Sequence, residues 1–378
     1  MAVHKLSDRS TVVTLLQPTK EQSMAEINFG NTVTLKQAAQ IIAASPSNRY
    51  ILRGEPGIGK SSLTGTLREM YPDHHVAYID VPNMDLGDIA MPVIDHESKT
   101  TRYYPNGRFM FHTGKPVIVV LDEFSKGAQP VQNMLHPLLE SHNPRLGDIP
   151  VHPDSLVFLT GNLTTDGVGD SLKAHTVNRI IPLIIQKPSF EEWAEWAVNN
   201  DIAPEILAFG RQVPQLFASY TDPSQKENAY IFNPQRPMSA FVSPRSLERA
   251  SNIVKIRRQL DTDSVIAALK GAIGEAAARD FQAYLDYADQ LPTWESTITN
   301  PKSALVPSTA GAAAIVVFGA IQKVTKTTIE PFMQYLERFE EEWQAAFAIN
   351  IAKSKTKQDV AFSCDAFAKW VAKNEDLL

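Results

Sequence analysis

Apolar residues along this chain fall into two regimes. Between residues 50 and 185 they gather in short, nearly unbroken runs: Tyr50-Ile51-Leu52, Val76-Ala77-Tyr78-Ile79, Val117-Ile118-Val119-Val120-Leu121, Leu156-Val157-Phe158-Leu159 and Ile180-Ile181-Pro182-Leu183-Ile184-Ile185. Runs of this length, rich in β-branched residues and separated by helical or irregular stretches, predict strands buried on both faces, as in a parallel sheet covered by helices. Ahead of the first run, Leu35, Ala38, Ala39, Ile41 and Ile42 keep a helical period, and an Ala-Ser-Pro-Ser-Asn turn separates that helix from the strand.

Past Lys187-Pro188 the strand pattern stops and helical spacing takes over. Ser189 and Glu192 have the capping-box spacing, and Trp193, Trp196 and Ala197 form an apolar face expected to pack inside, with Asn199-Asn200 ending the helix. The polar, proline-containing stretch from Thr221 to Pro244 reads as a loop, and helices are expected to resume at Arg245, Thr262, near Thr309, Ile329 and Gln358. The longest apolar stretch, Ala310 to Ile321, is shorter than the roughly 20 residues that span a bilayer, so it is expected to be a buried helix. Three segments follow: an aperiodic N-terminal extension over 1–30, an α/β core over 31–187, and a helical remainder over 188–378.

Composition narrows the picture only at a few points. At 378 residues, 43% hydrophobic and 21% charged, the chain has the make-up of two globular domains and not of a disordered one. A net charge of -6 supplies no global attraction for polyanions, so any nucleic-acid contact would need a local basic patch. The single cysteine, Cys364, excludes an internal disulfide and a thiolate metal cluster, which fits a reducing cytoplasm. Residues 1–19 show no apolar block of signal-peptide length, and a cytoplasmic protein without a membrane segment is expected.

Chemistry enters at the strand ends. Gly54-Glu55-Pro56-Gly57-Ile58-Gly59-Lys60-Ser61 matches G-x-x-x-x-G-K-[ST] and lies between an apolar strand and a helix-compatible stretch, Ser62 to Met70. Its glycines let backbone N–H groups turn toward phosphate oxygens, and the helix N-terminus adds the positive end of its dipole. Lys60 would reach the β- and γ-phosphates, and the Ser61 hydroxyl would ligate magnesium. The run Val117 to Leu121 ends in Asp122-Glu123, where Asp122 suits magnesium and Glu123 suits activation of the attacking water; two acids capping the next helix are the plainer alternative. Leu156 to Leu159 ends in Thr160-Gly161-Asn162, and Asn162 is placed to orient water, although an Asn after Gly is commonly a turn residue.

In this order of motifs the sequence resembles the AAA+ ATPases, and within them the MoxR-like group, over roughly Thr34 to Ser251. The resemblance makes Gly54 to Ser61 Walker A, Asp122-Glu123 Walker B, Asn162 sensor 1, Asn178-Arg179 the arginine-finger segment, and Ser243-Pro244-Arg245-Ser246-Leu247 similar to sensor 2. It implies an α/β core with a five-stranded parallel sheet in the spatial order 5-1-4-3-2, followed by an all-helical lid. Gly54 to Ser62 would then hold ATP, Ser61 and Asp122 would hold Mg2+, and Lys60, Asp122, Glu123, Asn162, Arg179 and Arg245 would serve catalysis. The family further implies a ring, commonly a hexamer, with Arg179 acting in a neighbour's site and Arg145 in reserve for that role. Residues 84–112 resemble the insert that MoxR-like proteins carry before Walker B, expected at the pore.

What such a machine acts on is less constrained. Thr101-Arg102-Tyr103-Tyr104 and Arg108-Phe109 interleave basic and aromatic side chains; most are expected to pack as an ordinary β-hairpin, with Tyr103, Tyr104 or Arg108 free to touch a substrate. His74, His75 and His112 lack partners at metal-ligand spacing, and Glu340-Glu341-Glu342 reads as a solvated helix face. The resemblance implies a chaperone-like ATPase acting on a protein client, often with a von Willebrand factor A type partner. A nucleotide-gated scaffold with little turnover and a DNA- or RNA-acting motor are the alternatives; Glu123 weighs against the first and the acidic balance against the second.

Overall fold

The computed structural model describes residues 32–163 and 172–374. The extension expected over 1–30 lies outside them. Among the described residues ten strands form: β1 (Thr32–Val33), β2 (Tyr50–Arg53), β3 (His75–Asp80), β4 (Ala90–Asp95), β5 (Thr100–Pro105), β6 (Val117–Asp122), β7 (Arg145–Leu146), β8 (Ile149–Pro150), β9 (Leu156–Gly161) and β10 (Ile181–Ile185). Six of them make one parallel sheet in the order β1-β10-β2-β9-β6-β3.

Without β1 this is the expected order 5-1-4-3-2. The sixth strand is a correction: Thr32 and Val33 pair with Ile184 and Ile185 at the sheet edge, and two residues are too few to show a period. Thr34, directly after it, accepts from the Gln37 N–H and starts the helix Leu35–Ala44 with a complete capping box.

Strand geometry explains why the runs are unbroken. Side chains alternate between faces, so Val117, Val119 and Leu121 of β6 join Ile51, Ile79 and Leu159 in one core, while Ile118 and Val120 join Leu52, Phe158 and Leu183 in the other. Both faces are covered, so neither subset can be polar. Because the strands run parallel, all their carboxyl ends lie along one edge of the sheet, which brings Gly54, Asp122 and Asn162 together.

Two small hairpins interrupt the core. β4 and β5 pair antiparallel from Ala90 opposite Pro105 to Asp95 opposite Thr100, within the expected insert. β7 and β8 form the second, which is fastened to the first: the Asp148 N–H donates to the Tyr103 carbonyl and the Tyr103 N–H to the Asp148 carboxylate, both at 2.8 Å. Phe109 packs inside as an ordinary core residue, against Phe111. Tyr103 and Tyr104 do not, and stay 45% and 42% exposed.

From residue 190 onward the described residues form helices and loops. The capping box of Ser189 and Glu192 is present and the helix runs Phe190–Asn199. Its buried positions are Phe190, Trp193, Ala194, Ala197 and Val198, a helical stripe that leaves Trp196 on its flank and 41% exposed, so only one of the two tryptophans joins the core. Helices begin at Pro244, Thr262, Ala310, Ile329 and Gln358, near the expected starts, and Pro204–Gln212, Glu275–Gln290, Trp294–Thr299, Glu341–Lys353 and Asp365–Lys373 add to them. Ala310–Lys323 is enclosed almost all round, with Gly311 against Tyr284 and Tyr287 and Gly319 against Pro204. Glu341 and Glu342 open a helix, where its dipole favours them, and Glu342 also accepts from Arg211 at 2.9 Å. Among the described residues no helix is long and apolar enough to cross a membrane.

Candidate nucleotide-binding site

The loop from Gly54 to Ser61 joins β2 to the helix Leu63–Met70 at the carboxyl edge of the sheet. Ile58 is buried and anchors it. Gly57 and Gly59 have φ of 77° and 99°, which side-chain-bearing residues rarely adopt, and a Cβ on Gly54 would meet the Ile185 carbonyl at 2.9 Å. Lys60 is buried beneath the loop, its Nζ donating to the carbonyls of Gly54 and Glu55 at 2.8 Å each and to Asn162 Oδ1 at 3.3 Å. The Ser62 hydroxyl ties back to the Gly59 carbonyl at 2.7 Å.

Asp122, at the tip of β6, collects three hydroxyl donors. Ser61 and Thr160 donate to its Oδ1 at 2.6 and 2.5 Å, and Tyr78 of β3 donates to Oδ2. Burial alone would raise the carboxyl's pKa; the bonds from Ser61, Thr160 and Tyr78 and the charge of Arg245 outweigh it and hold the group below the usual carboxylate range. Burial and the same Asp122 contact push the Tyr78 phenol well above its ordinary value, so Tyr78 stays a donor.

Glu123 leaves the strand in a left-handed turn, φ 47°. Its N–H donates to the Thr160 hydroxyl at 3.0 Å, and its carboxylate pairs with Lys126 at 2.6 Å. Asn162 meets the loop through Lys60. Arg245 arrives from the far half of the chain: Ser243 caps the helix Pro244–Ile256, and the Arg245 N–H donates to the Gly57 carbonyl at 3.1 Å. Gly57 has no room for a side chain there, since a Cβ would lie 2.5 Å from the Ser243 hydroxyl.

Lys60, Ser61, Asp122, Asn162 and the helix start at Arg245 therefore share one patch, with Glu123 beside it. Arg179 does not join them. It follows the short helix Ala174–Val177, and its guanidinium donates to Glu140 at 2.8 Å and to the His175 carbonyl at 2.7 Å. Arg145 stands exposed on the β7–β8 hairpin.

Three contributors to this site carry little sequence signal. Thr160 locks the β6 and β9 tips together by donating to Asp122 and accepting from the Glu123 N–H; a hydroxyl ending an apolar run was the available clue. Tyr78 looks like one more apolar strand residue until β3 is placed beside β6. Lys187 follows the last strand and comes within 3.9 Å of Glu55 only once the sheet is assembled.

With this geometry in place, the chain can be set beside known proteins. Residues 49–179 match the family AAA domain (dynein-related subfamily), and the match spans the phosphate loop, Asp122-Glu123, Asn162 and Arg179. The parallel sheet with its helical C-terminal region is an AAA fold. Solved structures similar to the chain include a Cytophaga hutchinsonii protein provisionally described as an ATPase, 15% identical over 66% of this chain and 88% of that one, with a TM-score of 0.31. Another is NtrX from Brucella abortus in complex with ATP, 13% identical over 91% of this chain and 67% of that one, with a TM-score of 0.36. No curated protein matches the sequence significantly.

Proposed function

We propose that the chain is a magnesium-dependent ATPase of the MoxR-like AAA+ group that works as a ring, commonly a hexamer, and turns hydrolysis into remodelling or assembly of a partner protein. The observation that carries the reading is the patch at the glycine-bearing loop in which Lys60 is hydrogen-bonded to Asn162 and Ser61 to Asp122. Lys60 is prepaid in position: its ammonium rests on two loop carbonyls and needs only to turn to meet phosphate oxygens. The residues fit a magnesium ion. Ser61 and Asp122 offer hard oxygen donors 2.6 Å apart, and this cation is usually held by one or two such groups together with phosphates. When bound, the ion would neutralise charge on the transferring phosphoryl group.

The chain's own residues would then divide the work. Glu123, released from Lys126, would accept a proton from water, and Asn162 would orient that water. Arg245, already felt by Asp122, would sense the far phosphates from the helical half. Arg179, held by Glu140 and the His175 carbonyl within its own subunit, would exchange these partners for a neighbour's site, where it would stabilise developing negative charge. The exposed Tyr103 and Tyr104, with Met91, Val93 and Ile94, give the hairpin an apolar surface suited to a protein client, an adaptor of von Willebrand factor A type, or the ring's own pore.

Subunit mixing tests the shared site. Glu123→Gln and Arg179→Ala are each expected to bind ATP and turn it over poorly alone. Mixed, they should recover part of the activity, because Arg179 of one subunit then completes a site whose Glu123 is intact. Absence of any recovery, with assembly verified, removes the trans role of Arg179.

A further inference from the structure

Besides the Arg245 contact, a second connection joins the phosphate loop to the helical half, and it is buried. Glu55, the second residue of the loop, faces Lys187, just beyond the last strand, with Oε2 and Nζ 3.9 Å apart and side chains only 6% and 4% exposed. Neither contact ends there. Lys187 Nζ donates to the carbonyls of Ala218 at 2.8 Å and Leu216 at 3.2 Å, and the neighbouring Ser219 favours the charged form of the Glu55 carboxyl. On the other side, the Glu55 carbonyl accepts from Lys60 at 2.8 Å. A continuous line of contacts therefore runs from Lys60 through Glu55 and Lys187 to the 3-10 turn Pro214–Phe217 and its exit at Ala218-Ser219.

Stability is a weak reason for such a pair. Burying two charges costs as much as or more than their attraction returns, and an apolar pair of similar size would serve the fold as well. Burial pushes the Glu55 carboxyl up and the Lys187 ammonium down to about 8, and each is kept ionised chiefly by the other. The line also has a movable end. A lysine that turns from the Glu55 carbonyl to a phosphate oxygen pins the loop to the bound nucleotide, and with it the residue that holds Lys187.

We infer that Glu55 and Lys187 are positioning residues that tie the conformation of the phosphate loop to segment 213–219, so that nucleotide in the loop sets the turn that follows the first two helices of the helical half. The link rests on the nucleotide-binding reading above and deepens it. It differs from the Arg245 contact, which meets the loop at Gly57 from an exposed side chain's helix.

Hydrogen exchange of residues 213–219 in the full chain, with and without ATP, tests it. In the wild-type protein ATP is expected to slow exchange there. Lys187→Met should still bind ATP within about threefold yet lose that protection, and Glu55→Gln, which keeps the shape, and the double variant should lose it as well. Turnover should fall by roughly tenfold in kcat with KM little changed, within the 5–150-fold range of ordinary coupling. The double variant should be no worse than either single one. Protection that survives in Glu55→Gln or Lys187→Met overturns the link.

Should the variants fail to fold, the wild-type protein supplies its own test. The charged groups facing Lys187 are Glu55 from the loop, with Lys60 acting on Glu55 behind it; segment 213–219 offers carbonyls. ATP-dependent protection should therefore fade as pH rises through about 8, while ATP remains bound. Protection equal on both sides of that pH overturns the link. A wild-type chain that fails to bind ATP overturns the nucleotide reading itself; one that binds ATP with no change at 213–219 overturns the link alone.

Discussion

The two halves of the molecule spend burial differently. Among the described residues the buried charged side chains are Arg49, Glu55, Lys60 and Lys187, all in or just beyond the sheet. The helical half is larger, but the buried polar residues there are serines and a threonine, Ser243, Ser246, Ser251, Thr297 and Ser354, beside the buried Trp193 indole N–H. Its interior is a web of aromatic contacts, Phe190 with Phe217 and Phe318, Phe209 with Phe281 and Tyr284, Phe332 with Tyr335 and Phe347. A buried charge is costly and persists where it is used or paired. The contrast sets buried charges in the first half against aromatic packing in the second, and it gives the junction at Lys187 its interest.

The sharpest way to break this comparison is at Glu123. Glu123→Gln should lower ATP turnover by about 10²–10⁴-fold, the usual worth of a general base, and leave ATP affinity within a few fold; equal losses of binding and turnover would remove its role. The complementary change is Phe318→Ala in the helical core. It should cost about 3–5 kcal/mol in urea unfolding, while the ATP affinity of the molecules that remain folded stays unchanged. A matching loss of affinity would mean that the halves are not separable. Lys60→Ala comes next, with about 2–3 kcal/mol of lost ATP binding, roughly 100-fold, measured by calorimetry.

The smallest effect concerns Asp122 and acid. Its folded pKa lies below the ordinary 3.8, so its contacts contribute stability that is complete above that value and is lost as pH falls through the folded one. Asp122→Asn should therefore flatten the acid limb of a stability-against-pH curve. An unchanged limb would mean that the three hydroxyl bonds to Asp122 contribute nothing to folding.

Much of the α/β half was legible because its signals are local. The phosphate loop, the paired acids after Leu121 and the Asn after Gly161 each occupy a few consecutive residues, and an unbroken apolar run leaves a strand few alternatives. Thr160, Tyr78 and Lys187 were not legible, since each acquires its partner only when two strands or two halves are brought side by side. In the helical half, starts with a capping residue such as Ser189 or Thr309 stood out. Glu275–Gln290 did not: its N-cap, Gly274, makes no side-chain bond. The exposed Trp196 shows the same limit from the other side, because spacing alone does not tell the middle of a stripe from its edge.

The central claim is a site shared between subunits, and turnover per subunit across a wide range of protein concentration, with magnesium and without a partner, tests it most directly. The account predicts a steep rise followed by saturation, with Arg179→Ala low throughout. A rate that stays flat down to concentrations at which mass measurement finds only monomer would contradict it.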